Sequence, residues 1–257
     1  MHIWNYVLLL GSGLIAGLVN SIAGGGALLL YPLLLSLGLA PITANASTSI
    51  SVWPGAISSA YGYRKHLRKI PRYFLYLLIP CVIGGLIGAV ILKHTSNNFF
   101  EVIVPWFIVF GVVLLAFQRR LHKLLYQKTN KKTAKKHSKI TLYAVGLTLF
   151  IVSIYGGFFG AGFGIIMLAL LGLTELKDIQ QMNGLKNLGG AGINIFASIY
   201  FIANRLIDWK IVPVTVVGSV VGGYLGSTYS AKLPGNTVRK IVIAIGLLIA
   251  IVLFIKN

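Results

Sequence analysis

Seven long stretches of the 257-residue chain carry no Asp, Glu, Lys or Arg: 1–63, 73–92, 102–118, 140–174, 187–204, 211–231 and 241–255. None shows the strict in–out alternation of a barrel strand. Helices are then the structure that satisfies backbone N–H and C=O groups in lipid. The first stretch is too long for one crossing, since residues 3–39 would form a helix of about 55 Å at ~1.5 Å per residue. Gly24-Gly25-Gly26 near its middle is expected to break it, because consecutive glycines forfeit helix propensity. The piece that follows, Ala27–Leu37, is short for a full span and suits a re-entrant or buried segment.

The pattern then repeats. Gly84-Gly85-Leu86-Ile87-Gly88 matches Gly222-Gly223-Tyr224-Leu225-Gly226 at an offset of 222 − 84 = 138, which also pairs Asn45 with Asn183 and Asn98 with Asn236. Gly24-Gly25-Gly26 corresponds to Gly160-Ala161-Gly162 at an offset of 160 − 24 = 136. The expected fold is therefore an all-α polytopic membrane protein of two homologous halves, 1–118 and 140–257, joined by a basic linker, 119–139. Each half is expected to hold about four principal transmembrane helices, with broken or re-entrant helices at the glycine-rich segments. Four crossings per half would make the repeats parallel and five would make them inverted. Duplicated halves of this kind are the common build of secondary transporters, with the site where the repeats meet.

Composition sharpens this. Hydrophobic residues make up 56% of the chain, charged residues 11%, and mean hydropathy is +0.84. A soluble domain would carry about 25% charged residues to cover its surface, so a water-soluble globular protein is excluded. Disorder, which needs low hydrophobicity, is excluded too. The net charge of +19 is concentrated rather than spread. Arg64, Lys65, Arg68, Lys69 and Arg72 form one cluster; Arg119, Arg120, Lys123, Lys128, Lys131, Lys132, Lys135, Lys136 and Lys139 form another. Together they hold 5 + 9 = 14 of the 23 basic residues. Short basic loops beside apolar spans are the positive-inside signature and attract anionic lipid headgroups. Either crossing number puts both clusters at the cytoplasm, in a multi-pass protein of the cell (plasma or inner) membrane. With no aromatic-interleaved basic face, nucleic acid is not an expected partner. Met1–Trp4 lacks the positive region of a secretory signal, so the first apolar segment is expected to be retained.

Enzyme machinery is missing from the pattern. Cys81 is the one cysteine, and it lies inside an apolar run. The five histidines and four acids fall near the ends of predicted spans. No Walker loop, metal-ligand spacing, paired carboxylates or nucleophile triad appears, and no cofactor is expected.

Gly17-Leu18-Val19-Asn20-Ser21-Ile22-Ala23-Gly24-Gly25-Gly26, then Pro32-Leu33-Leu34 and Ala46-Ser47-Thr48-Ser49, resembles the first repeat of the TauE/SafE sulfite exporter family. Gly156-Gly157-Phe158-Phe159-Gly160-Ala161-Gly162, Leu185-Lys186-Asn187, Asp208-Trp209 and Gly222-Gly223-Tyr224-Leu225-Gly226 resemble its second repeat. The resemblance covers nearly the whole chain. It departs at Asn45-Ala46-Ser47-Thr48, where many members have a glycine before the threonine. It implies a permease for small, mostly sulfur-containing anions such as sulfite, sulfonates or sulfur-bearing organic acids.

The residues support an anion site on their own terms. A glycine break within a membrane segment starts a new helix, whose N-terminus carries about half a positive charge and free N–H donors. Gly24, Gly25 and Gly26, with Gly160, Gly162 and Gly164, are read as such breaks, because they are too dense for packing alone. Gly84, Gly85, Gly88, Gly222, Gly223 and Gly226 are read as close-packing positions. Lys186 is the sharpest residue. It is the one basic residue between Asp178 and Asn204, and a charge within a span is costly unless it meets a cavity or a partner. No acid is an evident partner, which leaves an anionic substrate or a snorkelling route to the interface. Asn183 and Asn187 beside it offer amides, as do Asn45, Thr48 and Ser49 in the first half; such groups also serve as interhelical glue. Asn20 and Ser21 precede the first break and are placed to cap a helix or touch substrate.

The expected activity is alternating-access transport between the halves, with an anion channel through the same donors as the alternative. The coupling proton or ion, the direction of transport, and a monomeric or homo-oligomeric state are left open.

Overall fold

The computed structural model describes residues 3–129, 138–176 and 178–230, with 243–244, 247–248 and 250–251 of the C-terminal stretch. The middle of the basic linker and Asn236 lie outside the described residues. All regular structure among the described residues is helical, and the protein is an all-α polytopic membrane protein.

Helix α1 (Ile3–Ile22) stops before the glycine triplet, and α2 (Ala27–Ser36) starts after it. Gly24 turns the chain at φ +82°, a left-handed conformation that side chains resist. Helix α7 (Ser138–Phe158) likewise ends before α8 (Phe163–Leu171), whose N-cap Gly162 sits at φ +87°. Both predicted breaks are therefore present. Between them come α3 (Pro41–Gly62), started by a proline at its first position, the single turn α4 (Arg64–Leu67), and a 3₁₀ turn (Arg72–Leu77). Helices α5 (Leu78–Lys93) and α6 (Asn97–Thr129) complete that part of the chain. After α8 come α9 (Ile179–Ala203) and α10 (Val212–Tyr229).

Among the described residues, three helical stretches are long and apolar enough to cross a membrane, Ile3–Ile22, Arg72–Lys93 and Asn97–Phe117. Helices α3 and α9 are long as well, at 22 and 25 residues, but buried Asn, Ser, Thr and Lys side chains dilute their apolar character. Polar groups in a membrane helix face the protein interior, and α3 packs directly against α9.

Contacts fix which way each segment runs. Asn5 near the start of α1, residues 37–40 after α2, and Asp208–Ile211 before α10 line one cleft, so α1–α2 leaves and returns at the same end. At the other end His66 meets Asp178, Leu77 touches Gly146 of α7, and Ser230 after α10 bonds Gln180 of α9. Helix α7 begins at this second end, and α8 leads back to Asp178 there. The two broken hairpins thus enter from opposite ends of the helix assembly.

The same contacts explain the remaining glycines. Helix α1 runs parallel to α10 and α7 runs parallel to α5, each pair crossing at backbone contact. A Cβ added to Gly222 or Gly226 would run into the carbonyls of Leu14 or Leu18; one added to Gly84 or Gly88 would meet those of Phe150 or Ile154. Gly223 lies against Gly55 and Gly85 against Ile193. These are the close-packing positions expected from the sequence.

Candidate functional site

The breaks meet at one small cavity of about 40 Å³, room for roughly two or three waters or a small ion. Asn20 and Gly24 line it from α1 and its break, Ala27 from α2, and Thr48, Ser49 and Val52 from α3. Gly156, Phe159, Gly160, Phe163 and Gly164 come from α7–α8, and Lys186, Asn187, Gly190, Ile193 and Asn194 from α9. A Cβ on Gly24 would stand 2.7 Å from the Cα of Gly164, so backbone meets backbone where the hairpins touch.

Helices α2 and α8 begin at this cavity, and no side chain caps either start. The N–H groups of Leu28, Leu29, Phe163 and Ile165 turn back to carbonyls of the breaks, and the helix dipole makes each of these ends positive. Lys186, 2% exposed, adds an amine. Its Nζ donates to the carbonyls of Asn20 at 2.7 Å and Ser21 at 2.9 Å. These belong to the last turn of α1, the negative end of that helix dipole. The expected pair of partners for Lys186, substrate or interface, is therefore extended by a third. The side chain does not snorkel, and the end of the broken helix holds it beside the cavity.

Asn187 reinforces the hold. Its Nδ2 donates to the Ser21 carbonyl at 3.2 Å and to the Ser59 hydroxyl at 2.8 Å, while Ser59 bonds the Ser21 hydroxyl at 2.7 Å. Its Oδ1 is buried without a partner among the described residues. On the opposite side, Asn45 Nδ2 donates to the carbonyl of Phe158 at the end of α7, at 2.8 Å. The hydroxyls of Thr48 and Ser49 bond carbonyls of their own helix, those of Ala44 and Asn45.

Of the residues singled out from the sequence, Asn20, Gly24, Thr48, Ser49, Gly160, Gly164, Lys186 and Asn187 line the cavity. Ser21 lies just behind, offering its carbonyl to Lys186. Asn45 ties α3 to α7, and Asn183 is buried nearby with its Oδ1 unpartnered among the described residues. Gly25 packs against Leu28 and Val19, Gly26 against the Ala16 carbonyl, and Gly162 turns the chain into α8. Asn194 and Ser59 were missed. Asn194 follows Lys186, Asn187 and Gly190 at helical spacing, which puts it on their face. Ser59 had no such signal.

The second end of the assembly carries a half-exposed hydrogen-bonded pair, His66 and Asp178. Asp178 N-caps α9, its Oδ1 accepting the Gln180 N–H at 2.9 Å, while Oδ2 accepts from His66 Nδ1 at 2.9 Å. Partial burial pushes the Asp178 carboxyl up, but the hydrogen bonds from His66 and the backbone outweigh this and hold it below its ordinary value.

Comparison with known proteins agrees with this architecture. The profile described as Sulfite exporter TauE/SafE matches residues 9–253. A "Probable membrane transporter protein" of Haemophilus influenzae is 27% identical over 239 residues, covering 90% of this chain and 87% of the relative. "Probable membrane transporter protein YunE" of Bacillus subtilis is 25% identical over 265 residues, 94% of this chain and 96% of its own. "Probable membrane transporter protein YfcA" of Escherichia coli K12 is 24% identical over 243 residues, 90% and 83%. No solved structure matches. With its polytopic helical fold, two broken hairpins and no sign of an enzyme's machinery in its sequence, the chain belongs to the sulfite exporter TauE/SafE family of membrane transporters.

Proposed function

We propose that the protein is a secondary permease for a small anion, sulfur-containing as sulfite or a sulfonate is, working by alternating access between two homologous halves in the cell membrane. The observation that carries this reading is the convergence of two uncapped helix N-termini and one buried lysine on a single small cavity. Donors fixed by backbone geometry suit an anion, and they need little rearrangement on binding. The cavity's size favours a compact ion.

The contacts support the division at 1–118 and 140–257. Gly222 against Leu14 becomes Gly84 against Phe150, Gly226 against Leu18 becomes Gly88 against Ile154, and Gly223 against Gly55 becomes Gly85 against Ile193. Each pair corresponds at the offsets of 136 and 138 read from the sequence. Because the broken hairpins enter from opposite ends, the halves are inverted repeats, as secondary transporters commonly are. The basic cluster 64–72 lies at the end where α7 begins, and the positive-inside rule makes that end cytoplasmic. On that side of the cavity the end of α1 is held to α9 through Lys186 and Asn187, while on the opposite side Asn45 holds the end of α7 to α3. Exchange of these two arrangements opens one face of the cavity as it closes the other.

The test is counterflow in proteoliposomes. Preloading with unlabelled sulfite should accelerate entry of labelled sulfite, as a carrier requires. Conduction of sulfite without trans-stimulation would replace the carrier with an anion channel, and no sulfite or sulfonate flux would reject the substrate class.

A further inference from the structure

We infer that Lys186 carries a proton with the anion, so that the permease moves the two together. This rests on the anion-permease reading above and adds the coupling ion to it.

The stereochemistry of the amine is the starting point. An ammonium group has three N–H donors; a neutral amine has two and a lone pair. Lys186 Nζ has two acceptors among the described residues, the carbonyls of Asn20 and Ser21, at 2.7 and 2.9 Å. They use the whole donor capacity of the neutral amine. Protonation adds a third N–H, and the side chain that bears it lines the cavity. The third donor therefore matches an acceptor that arrives as substrate.

The neighbours leave the site without a resident counter-ion. Helix α1 faces Lys186 with carbonyls, and its ionisable side chain, Tyr6, is near its far end. Helix α8 faces it with Gly164 and contains no ionisable residue. Helix α3 contributes Thr48, Ser49 and Ser59, with Tyr61 and Tyr63 toward its cytoplasmic end. Helix α7 contributes Gly156, and its Tyr155 hydroxyl is bonded to the Ala161 carbonyl. Helix α5 has Cys81, bonded to the Leu77 carbonyl, with Lys93 in its far turn. Helix α4 carries Arg64, Lys65 and His66 and packs against the first turns of α9, where Asp178 is engaged by His66 and the Gln180 N–H. No carboxylate lines the cavity among the described residues.

A charge enclosed without a counter-ion is strongly disfavoured. Charge and anion consequently enter the cavity together. The cycle balances: the neutral amine takes one proton, the ammonium pairs with one anion, and the protein crosses its transition with no net gain of charge for a monoanion. On the far side the anion leaves, the proton follows, and the amine returns with its two bonds to Asn20 and Ser21. Arginine at this position would hold the anion but could not shed its charge.

The experiment measures proton uptake on binding. The purified full chain in weakly buffered detergent is mixed with sulfite adjusted to the same pH, with an indicator dye present and binding measured in parallel. Wild type should take up about one more proton per bound sulfite than Lys186→Arg. In proteoliposomes the net sulfite uptake of Lys186→Arg should fall at least tenfold and lose its dependence on a pH gradient. Should that variant not give a monodisperse protein, sulfite added to protein-free detergent is the reference for the wild-type proton count. Sulfite binding by wild type with no excess proton, or net uptake by Lys186→Arg equal to wild type, overturns the coupling while leaving the permease intact. Failure of wild type to bind sulfite overturns the permease reading and the coupling with it.

Discussion

The three glycines of the first break look alike in the sequence, and the structure separates them. Gly24 sits at φ +82°, and a Cβ there would stand 2.7 and 2.8 Å from the Cα and carbonyl carbon of Gly164. Those are backbone atoms, so no rotamer change relieves the contact. Left-handed backbone costs an L-residue about 1–2 kcal/mol and overpacking about 1–3 kcal/mol, giving roughly 2–5 kcal/mol against this conformation for Gly24→Ala. At 1.4 kcal/mol per factor of ten, the lower bound is already about 30-fold in population. Gly25 has no positive φ, and its nearest prospective neighbour is the Cδ1 of Leu28 at 3.6 Å, an ordinary contact. Gly25→Ala should stay within about 0.5 kcal/mol of wild type. Two assays read the pair: melting in detergent, followed by the fraction still monodisperse on gel filtration, and initial rates of labelled sulfite entry into proteoliposomes. Gly24→Ala should melt several degrees lower and lose at least tenfold in rate, with Gly25→Ala near wild type in both. Equal behaviour of the two variants, whether both intact or both crippled, would refute the claim that contact between the breaks shapes this state.

Three further outcomes follow from packing and charge. Gly11→Ala meets nothing within 4 Å and should be neutral or slightly stabilising in a melting assay, whereas Gly17→Ala, two turns along the same helix, collides with the Ser219 carbonyl and should cost about 1–3 kcal/mol. Ser59→Ala removes an acceptor from Asn187 and the partner of the Ser21 hydroxyl, and should destabilise by about 1–3 kcal/mol. Ser36→Ala, whose hydroxyl is exposed and bonds the Leu33 carbonyl of its own helix, should leave melting unchanged. Asp178→Asn keeps the helix cap and loses the charge facing His66; with both side chains more than a third exposed, it should cost within about 1 kcal/mol at neutral pH. Since the Asp178 carboxyl is held low, its contribution is present above the ordinary carboxylate range and disappears as pH falls through the lowered value. Wild type should therefore show an acid loss of stability across that interval which Asp178→Asn lacks.

Legibility in the sequence followed the range of each interaction. The breaks were visible because dense glycine acts locally, on the helix that contains it. Lys186 was visible because one charge in a long uncharged run needs no partner to be noticed. Its partners were not visible: they are backbone carbonyls 165 and 166 residues away, and a carbonyl carries no residue identity for a sequence to display. The contact of His66 with Asp178 was hidden similarly, by 112 residues of separation and by the basic loop around His66. The doubling was visible as an offset, and it carries one consequence further. At 186 − 138 = 48, the position of Lys186 corresponds to Thr48, and both line the cavity. If the halves are repeats as proposed, symmetry supplies each face with a polar side chain but supplies the charge only once. A second lysine in place of Thr48 would put two ammonium groups around about 40 Å³, and a single small anion could not neutralise both. The substitution of threonine for lysine between the halves thus suits a site that takes one charge at a time, and it fixes the end of α1, rather than that of α7, as the one that the charge holds.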